Sequence, residues 1–204
     1  MEIKSSVVKS LREKTSAGIM DCKKALEETR GDIDKAIDYL RKKGLAAAAK
    51  KTGRISKEGI IEAYIHPGGK LGVLVEVNCE TDFVAKAADF VEFVKNIAMH
   101  IAASNPLYLK REFIPEEVIE KEREIYKSQA LNSGKPEKII DRIVDGKIEK
   151  YFCDVCLLEQ PYVKEPELSV KELVDTLIAK MGENISIRRF YRYQLSENLD
   201  NEKA

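Results

Sequence analysis

Leu71-Gly72-Val73-Leu74-Val75-Glu76-Val77-Asn78-Cys79 follows the turn sequence Pro67-Gly68-Gly69-Lys70 and runs into Glu80-Thr81-Asp82-Phe83-Val84. Leu71, Val73, Val75, Val77 and Cys79 alternate onto one face, and Gly72, Leu74, Glu76 and Asn78 onto the other. That period of two is the signature of a half-buried strand. The Pro-Gly-Gly-Lys turn folds it back on a second strand over residues 59–66, making a hairpin. Beyond Cys79 the pattern changes to helical spacing. Asp82 reads as the N-cap of a long helix, 83–103, with Ala87, Phe90, Val94, Ile97 and Ile101 on one stripe. Further helices are predicted over 115–131, 136–152 and 170–180, and a late strand rich in Ile, Phe and Tyr over 185–195. A hairpin, several helices and a closing strand define an α+β core, 58–204, in which helices pack a three-stranded antiparallel sheet.

The second face of that sheet is predicted to carry Ile60, Tyr64, Leu74 and Phe190 among Glu62 and Glu76. A three-stranded sheet leaves such a face wet unless something covers it. The expectation is a homodimer, a second copy packing on the same face.

Upstream, the first 44 residues read as a three-helix bundle. Val7, Val8 and Leu11 form one stripe, ending at Thr15-Ser16-Ala17-Gly18; Ile19, Cys22, Ala25 and Leu26 form the next. The third carries Ile33, Ala36, Ile37 and Leu40, with Asp32 as its N-cap and Gly44 as its stop. A bundle of this size suits an adaptor and is too small for a deep catalytic pocket. Residues 45–57, with four alanines and Lys50-Lys51-Thr52-Gly53-Arg54, read as a partly helical linker.

The chain has 204 residues, 44% apolar and 34% charged, the composition of a folded globule. Lys plus Arg and Asp plus Glu are 35 each, so no global field draws it to nucleic acid or membrane. The charge is uneven, net +6 over 1–54 and −6 over 55–204, as expected of two modules. No run is apolar enough for a membrane helix, and the N-terminus lacks an apolar signal core. Cys22, Cys79, Cys153 and Cys156 lie in or beside apolar stretches, pointing to a reducing cytoplasm rather than a disulfide framework.

Chemistry finds little foothold. Cys153-x-x-Cys156 has no second cysteine pair or nearby histidine to complete a zinc site, and no βαβ context for redox work. His66 and His100 flank no nucleophile motif, and Gly68-Gly69 lies between strands rather than before a helix. Arg12, Lys23, Lys24, Arg41, Lys42 and Lys43 are spread over different helices among acids, which suits a solvated surface better than a nucleic-acid footprint. No enzyme, metal or cofactor is expected. Phe83 has two readings: its ring joins Ala87 and Phe90 in the core, or it projects past the helix tip into a partner.

The run Glu76-Val77-Asn78-Cys79-Glu80-Thr81-Asp82-Phe83-Val84-Ala85 closely resembles a signature of the bacterial translation elongation factor Ts family. Leu11-Arg12-Glu13-Lys14-Thr15 with Met20-Asp21-Cys22-Lys23-Lys24-Ala25-Leu26 resembles the other. Leu158-Glu159-Gln160-Pro161, and Gly182-Glu183-Asn184-Ile185 with Arg188-Arg189, fit as well. The resemblance implies a ubiquitin-associated-like bundle (1–44), a linker (45–57) and an α+β dimerisation and exchange core (58–204). It implies a guanine-nucleotide exchange factor for elongation factor Tu, in its GDP-bound and nucleotide-free states. Carried onto this chain, Thr81, Asp82, Phe83 and Val84 act on the partner's nucleotide domain and help dislodge its magnesium ion. Met181 and Gly182, His66, Arg12 and Met20 are implied as further contacts, with Ile19 where Met is familiar. The chain lacks the second core copy and coiled-coil insert of long members and resembles the short ones, in which a homodimer supplies the second half.

Overall fold

The computed structural model describes residues 3–15, 17–51, 53–133 and 136–197. Ser16 in the first predicted stop, Thr52 in the linker, and the two ends of the predicted modules lie outside the described residues. The chain falls into two compact units, one drawn from 1–60, 77–91 and 172–186, the other from 61–76, 92–171 and 187–204. The fold is α+β.

In the first unit, helices α1 (Ser5–Thr15), α2 (Ile19–Glu28) and α3 (Ile33–Ala49) enclose Val8, Leu11, Cys22, Ala25, Leu26 and Ala36. Asp32 caps α3 as predicted, its carboxylate accepting from Lys35 N at 3.1 Å. Gly44 does not stop the helix. α3 runs through it to Ala49, and a Cβ at Gly44 would stand 3.3 Å from Ala179 Cβ. This glycine permits a close approach between α3 and the last helix, while the alanines after it propagate the helix.

Strands β1 (Glu58–Ile65) and β2 (Leu71–Cys79) are the predicted hairpin, and β5 (Ser186–Gln194) closes an antiparallel sheet of order β1-β2-β5. Val73, Val75, Val77 and Cys79 are buried, as the alternation requires. The outer face differs from expectation. His66 N donates to Leu71 O at 2.9 Å across the turn. That register puts Ile65 beside Gly72, whose Cβ would meet Ile65 Cδ1 at 3.0 Å. Ile61 and Ile65 therefore share the outer face with Leu74, while Ile60 and Tyr64 turn inward and are half-buried. From β5 the exposed apolar groups are Tyr191 and Tyr193, with Leu195 just beyond it, and not Phe190, which is half-buried.

The predicted single helix after β2 is two. α4 (Asp82–Ala85) stops at Lys86, and α5 (Ala88–Ser104) restarts after Ala87. The cap of α4 is Thr81, not Asp82; Asp82 occupies the first helical position.

In the second unit, α6 (Glu116–Asn132) and α7 (Glu137–Val155) pack around Ile114, Ala130, Ile140, Val144, Ile148, Phe152 and Cys156. Arg111 stacks on Phe152 at 4.6 Å and pairs with Glu149 and Glu159. A small hairpin, β3 (Pro161–Tyr162) with β4 (Glu165–Ser169), was not anticipated. α8 (Val170–Met181) leads into β5. Among the described residues no helix is long and apolar enough to cross a membrane.

Candidate functional site: a capped helix tip framed by two glutamates

Thr81 is in extended conformation (φ −128°, ψ 155°), and its hydroxyl oxygen faces Val84 N at 3.5 Å, capping α4. Asp82, at the positive end of this short helix, pairs with Lys86 at 2.7 Å. The hydrogen bond and charge of Lys86 hold the Asp82 carboxyl below the usual carboxylate range. Phe83 follows with 83% of its surface exposed. The break at Lys86 and Ala87 removes it from the stripe of Phe90, Val94, Ile97 and Ile101, all of which are buried. The core reading of Phe83 is thereby excluded.

Two acids frame this tip. Glu183 Oε2 accepts from Glu80 N at 3.2 Å and Thr81 N at 3.0 Å, and Glu183 Oε1 accepts from the Thr81 hydroxyl at 2.7 Å. In return Glu80 Oε1 accepts from Asn184 N at 2.6 Å and stands 3.6 Å from Arg54 Nη1. The buried Asn184 donates its amide to Arg54 O at 2.8 Å, and Ser56 donates its hydroxyl to Asn184 O at 3.3 Å. Cys79 donates to Thr81 O at 3.1 Å, and burial, aided by the nearby Glu183 charge, pushes its thiol up to about 11. It is a packing group, not a nucleophile.

The sequence-predicted residues distribute as follows. Thr81, Asp82, Phe83 and Val84 are brought together with Met181 and Gly182 through the Glu80–Glu183 exchange. Gly182, at φ +78°, makes the turn after α8. Arg12 on α1, and Ile19 and Met20 at the start of α2, are exposed, Met20 by 71%. His66 belongs to the other unit, its Nδ1 3.0 Å from the Tyr64 hydroxyl at the hairpin end. Glu80, Glu183 and Asn184 carry the framework yet received no role from the sequence. Their signal was present: an acid in each of two turns, Glu80 after β2 and Glu183 after α8. Among the described residues no group of three or more His, Cys, Asp or Glu could hold a metal ion. Cys153 is exposed and Cys156 buried, both as free thiols.

An exposed aromatic ring on a braced helix tip, beside a glycine turn, thus stands out from an α+β scaffold. The family described as Elongation factor TS matches residues 5–177. Elongation factor Ts of Carboxydothermus hydrogenoformans is 61% identical over 197 residues, 97% of this chain and 91% of that protein. The Thermoanaerobacter sp. X514 protein of the same name is 61% identical over 198 residues, 97% of each chain. That of Syntrophomonas wolfei is 60% identical over 202 residues, 99% of this chain and 94% of the other. The chain belongs to the elongation factor Ts family, and its place is in translation elongation during protein biosynthesis.

Proposed function

We propose that this protein binds elongation factor Tu, GDP-bound or nucleotide-free, and promotes GDP release by displacing the nucleotide-site magnesium, so that GTP reloads. Thr81, Asp82, Phe83 and Val84 act at the partner's nucleotide site. Arg12, Ile19, Met20, His66, Met181 and Gly182 supply further contacts. The division of labour follows the bundle (1–44), linker (45–57) and core (58–204). The observation that carries this reading is Phe83, an aromatic ring left in water on a backbone that hydrogen bonds fix from several sides.

Energetics explain why several contacts are needed. Loosening a nucleotide by about 10⁴-fold takes about 5.5 kcal/mol of differential binding. Burying one phenylalanine supplies only about 1.5–3 kcal/mol. Contacts remote from Phe83 must hold the complex while the ring distorts the partner's site. The coupling is reciprocal, so nucleotide bound to elongation factor Tu weakens this protein's grip by the same factor. The work is binding work, with no covalent step.

The test is release of fluorescent GDP from elongation factor Tu. Acceleration by the wild type is expected, and its absence sinks the reading. Phe83→Ala should bind yet accelerate poorly; full acceleration by that variant would remove the ring from the mechanism.

We also propose a homodimer through the outer sheet face. Ile61, Ile65, Leu74, Tyr191, Tyr193 and Leu195 present an apolar surface there that a second copy would cover.

A further inference from the structure

We infer that Glu183 is a positioning residue for exchange: it holds the Thr81 cap and so fixes the direction in which Phe83 leaves the surface. The inference rests on the exchange reading above and adds to it a residue that contacts no nucleotide site.

A threonine hydroxyl has one hydrogen to give and two lone pairs to receive with. Glu183 Oε1 takes the hydrogen at 2.7 Å, which leaves the lone pairs for Val84 N. The other oxygen takes the two consecutive backbone N–H groups that precede α4. One carboxylate thus sets both the polarity of the cap and the path of the chain entering it. α4 needs such help. It spans four residues, Asp82–Ala85, and a single helical turn is unfavourable to form alone. The Thr81 to Val84 bond is long at 3.5 Å, and the Asp82–Lys86 pair is solvent-exposed, a type of contact that contributes little. Glu183 instead takes three charge-assisted bonds at this tip, from the Thr81 hydroxyl at 2.7 Å and from Thr81 N and Glu80 N at 3.0 and 3.2 Å.

The same brace ties the tip to the Gly182 turn. Glu80 accepts from Asn184 N while Glu183, one residue earlier, accepts from Glu80 N and Thr81 N. Each turn satisfies the amides of the other with its own acid. Loss of Glu183 leaves two N–H groups and a hydroxyl without an acceptor, and the tip loses the group that sets its angle. Phe83, two residues beyond Thr81, then points in many directions where exchange requires one.

The experiment measures stimulated GDP release from elongation factor Tu, with kcat and the half-saturating concentration separated. Glu183→Ala should lower kcat about tenfold, equal to ~1.4 kcal/mol, while half-saturation moves by no more than about twofold. Glu183→Gln keeps side-chain volume and one acceptor oxygen, and should fall between the two; it also serves if the alanine variant does not fold. The decisive arm is a double-mutant cycle with Phe83→Ala. If Glu183 acts through the ring, the double variant is no slower than Phe83→Ala alone. Additive losses, or wild-type kcat in both Glu183 variants, overturn the positioning role while leaving the exchange reading intact. A wild type without activity instead overturns the exchange reading.

Discussion

Phe83 stands in water on α4, with 83% of its surface exposed. A residue so exposed contributes little to the fold, and surface substitutions away from special features usually stay within about 0.5 kcal/mol. Phe83→Ala should therefore leave the thermal midpoint almost unmoved while exchange falls, a separation that calorimetry and GDP release together measure. A drop of several degrees would place the ring in packing. The two readings of Phe83 stayed open in the sequence because Phe83, Ala87 and Phe90 sit at helical spacing. What closes the question is the break at Lys86 and Ala87, where Lys86 N makes the last helical bond, to Asp82 O at 3.2 Å, and Ala87 N turns back to Val84 O at 3.0 Å. Neither residue is a helix breaker by type, so nothing local announced it. Thr81 displaced Asp82 as cap for a related reason. Both can cap, and the choice fell to Thr81, which Glu183, distant in sequence, engages from outside the helix.

At the scale of elements, two glycines within helices have opposite meanings. A Cβ at Gly44 would lie 3.3 Å from Ala179, whereas at Gly146 on α7 it would meet nothing within 4 Å. Gly146→Ala should stabilise the protein by about 0.5–1 kcal/mol, the helix-interior cost of glycine. Gly44→Ala should lose that gain against Ala179; equal gains in denaturant midpoint would show the contact to be slack. The unanticipated β3–β4 hairpin shows a different kind of illegibility. Two-residue β3 carries no periodicity, and the hairpin's attachment is a buried histidine. His100 Nδ1 accepts from Val163 N at 3.3 Å, so Nε2 carries the proton and donates to Gln160 Oε1 at 3.0 Å. Gln160 in turn donates to Asp154 O and Ser104 O, and Tyr162 lies against the ring. Burial holds His100 below its ordinary value, the Gln160 bond opposing this only in part. Glu165 and Glu92 act electrostatically on the neighbouring Tyr162. The unfolded chain then takes up the proton first. Stability is fully present above about pH 6.5, the unfolded value, and declines as pH falls below it towards the lower folded pKa. Urea midpoints measured from pH 7.5 to 5 should fall, and His100→Asn, though less stable at pH 7.5, should flatten that part of the profile. An unchanged slope in the variant would exclude His100 as its source.

The outer face of the sheet links the fold to the proposed pairing of two copies. The alternation of β2 made the three-stranded sheet legible, but not which residues of β1 face outward. Shifting a strand pairing by one residue exchanges its two faces, and here the four-residue turn with its His66 to Leu71 bond sets the register. The consequence was a face more apolar than expected, with Ile61, Ile65, Leu74, Tyr191, Tyr193 and Leu195 on it. Its charged part is internally paired: Glu76 accepts from Arg189 at 2.7 Å, with Arg188 3.7 Å away. A second copy can therefore settle on the face without stranding a carboxylate, since that carboxylate brings its own cation. Two-fold pairing also places each apolar group against its own kind of surface, as a closed isologous contact requires. Stable pairs typically bury about 1,600 Å² in total, which a sheet face and its flanking side chains can supply. Leu74→Glu with Tyr193→Glu would set two like charges from each copy into the contact, unpaired and desolvated. Sedimentation should then give the mass of one chain at concentrations where the wild type gives two. Both substitutions lie on exposed positions, so the monomer should keep its helical circular dichroism. A wild type that sediments as a monomer at every concentration, or a double variant that still pairs, would move the interface elsewhere.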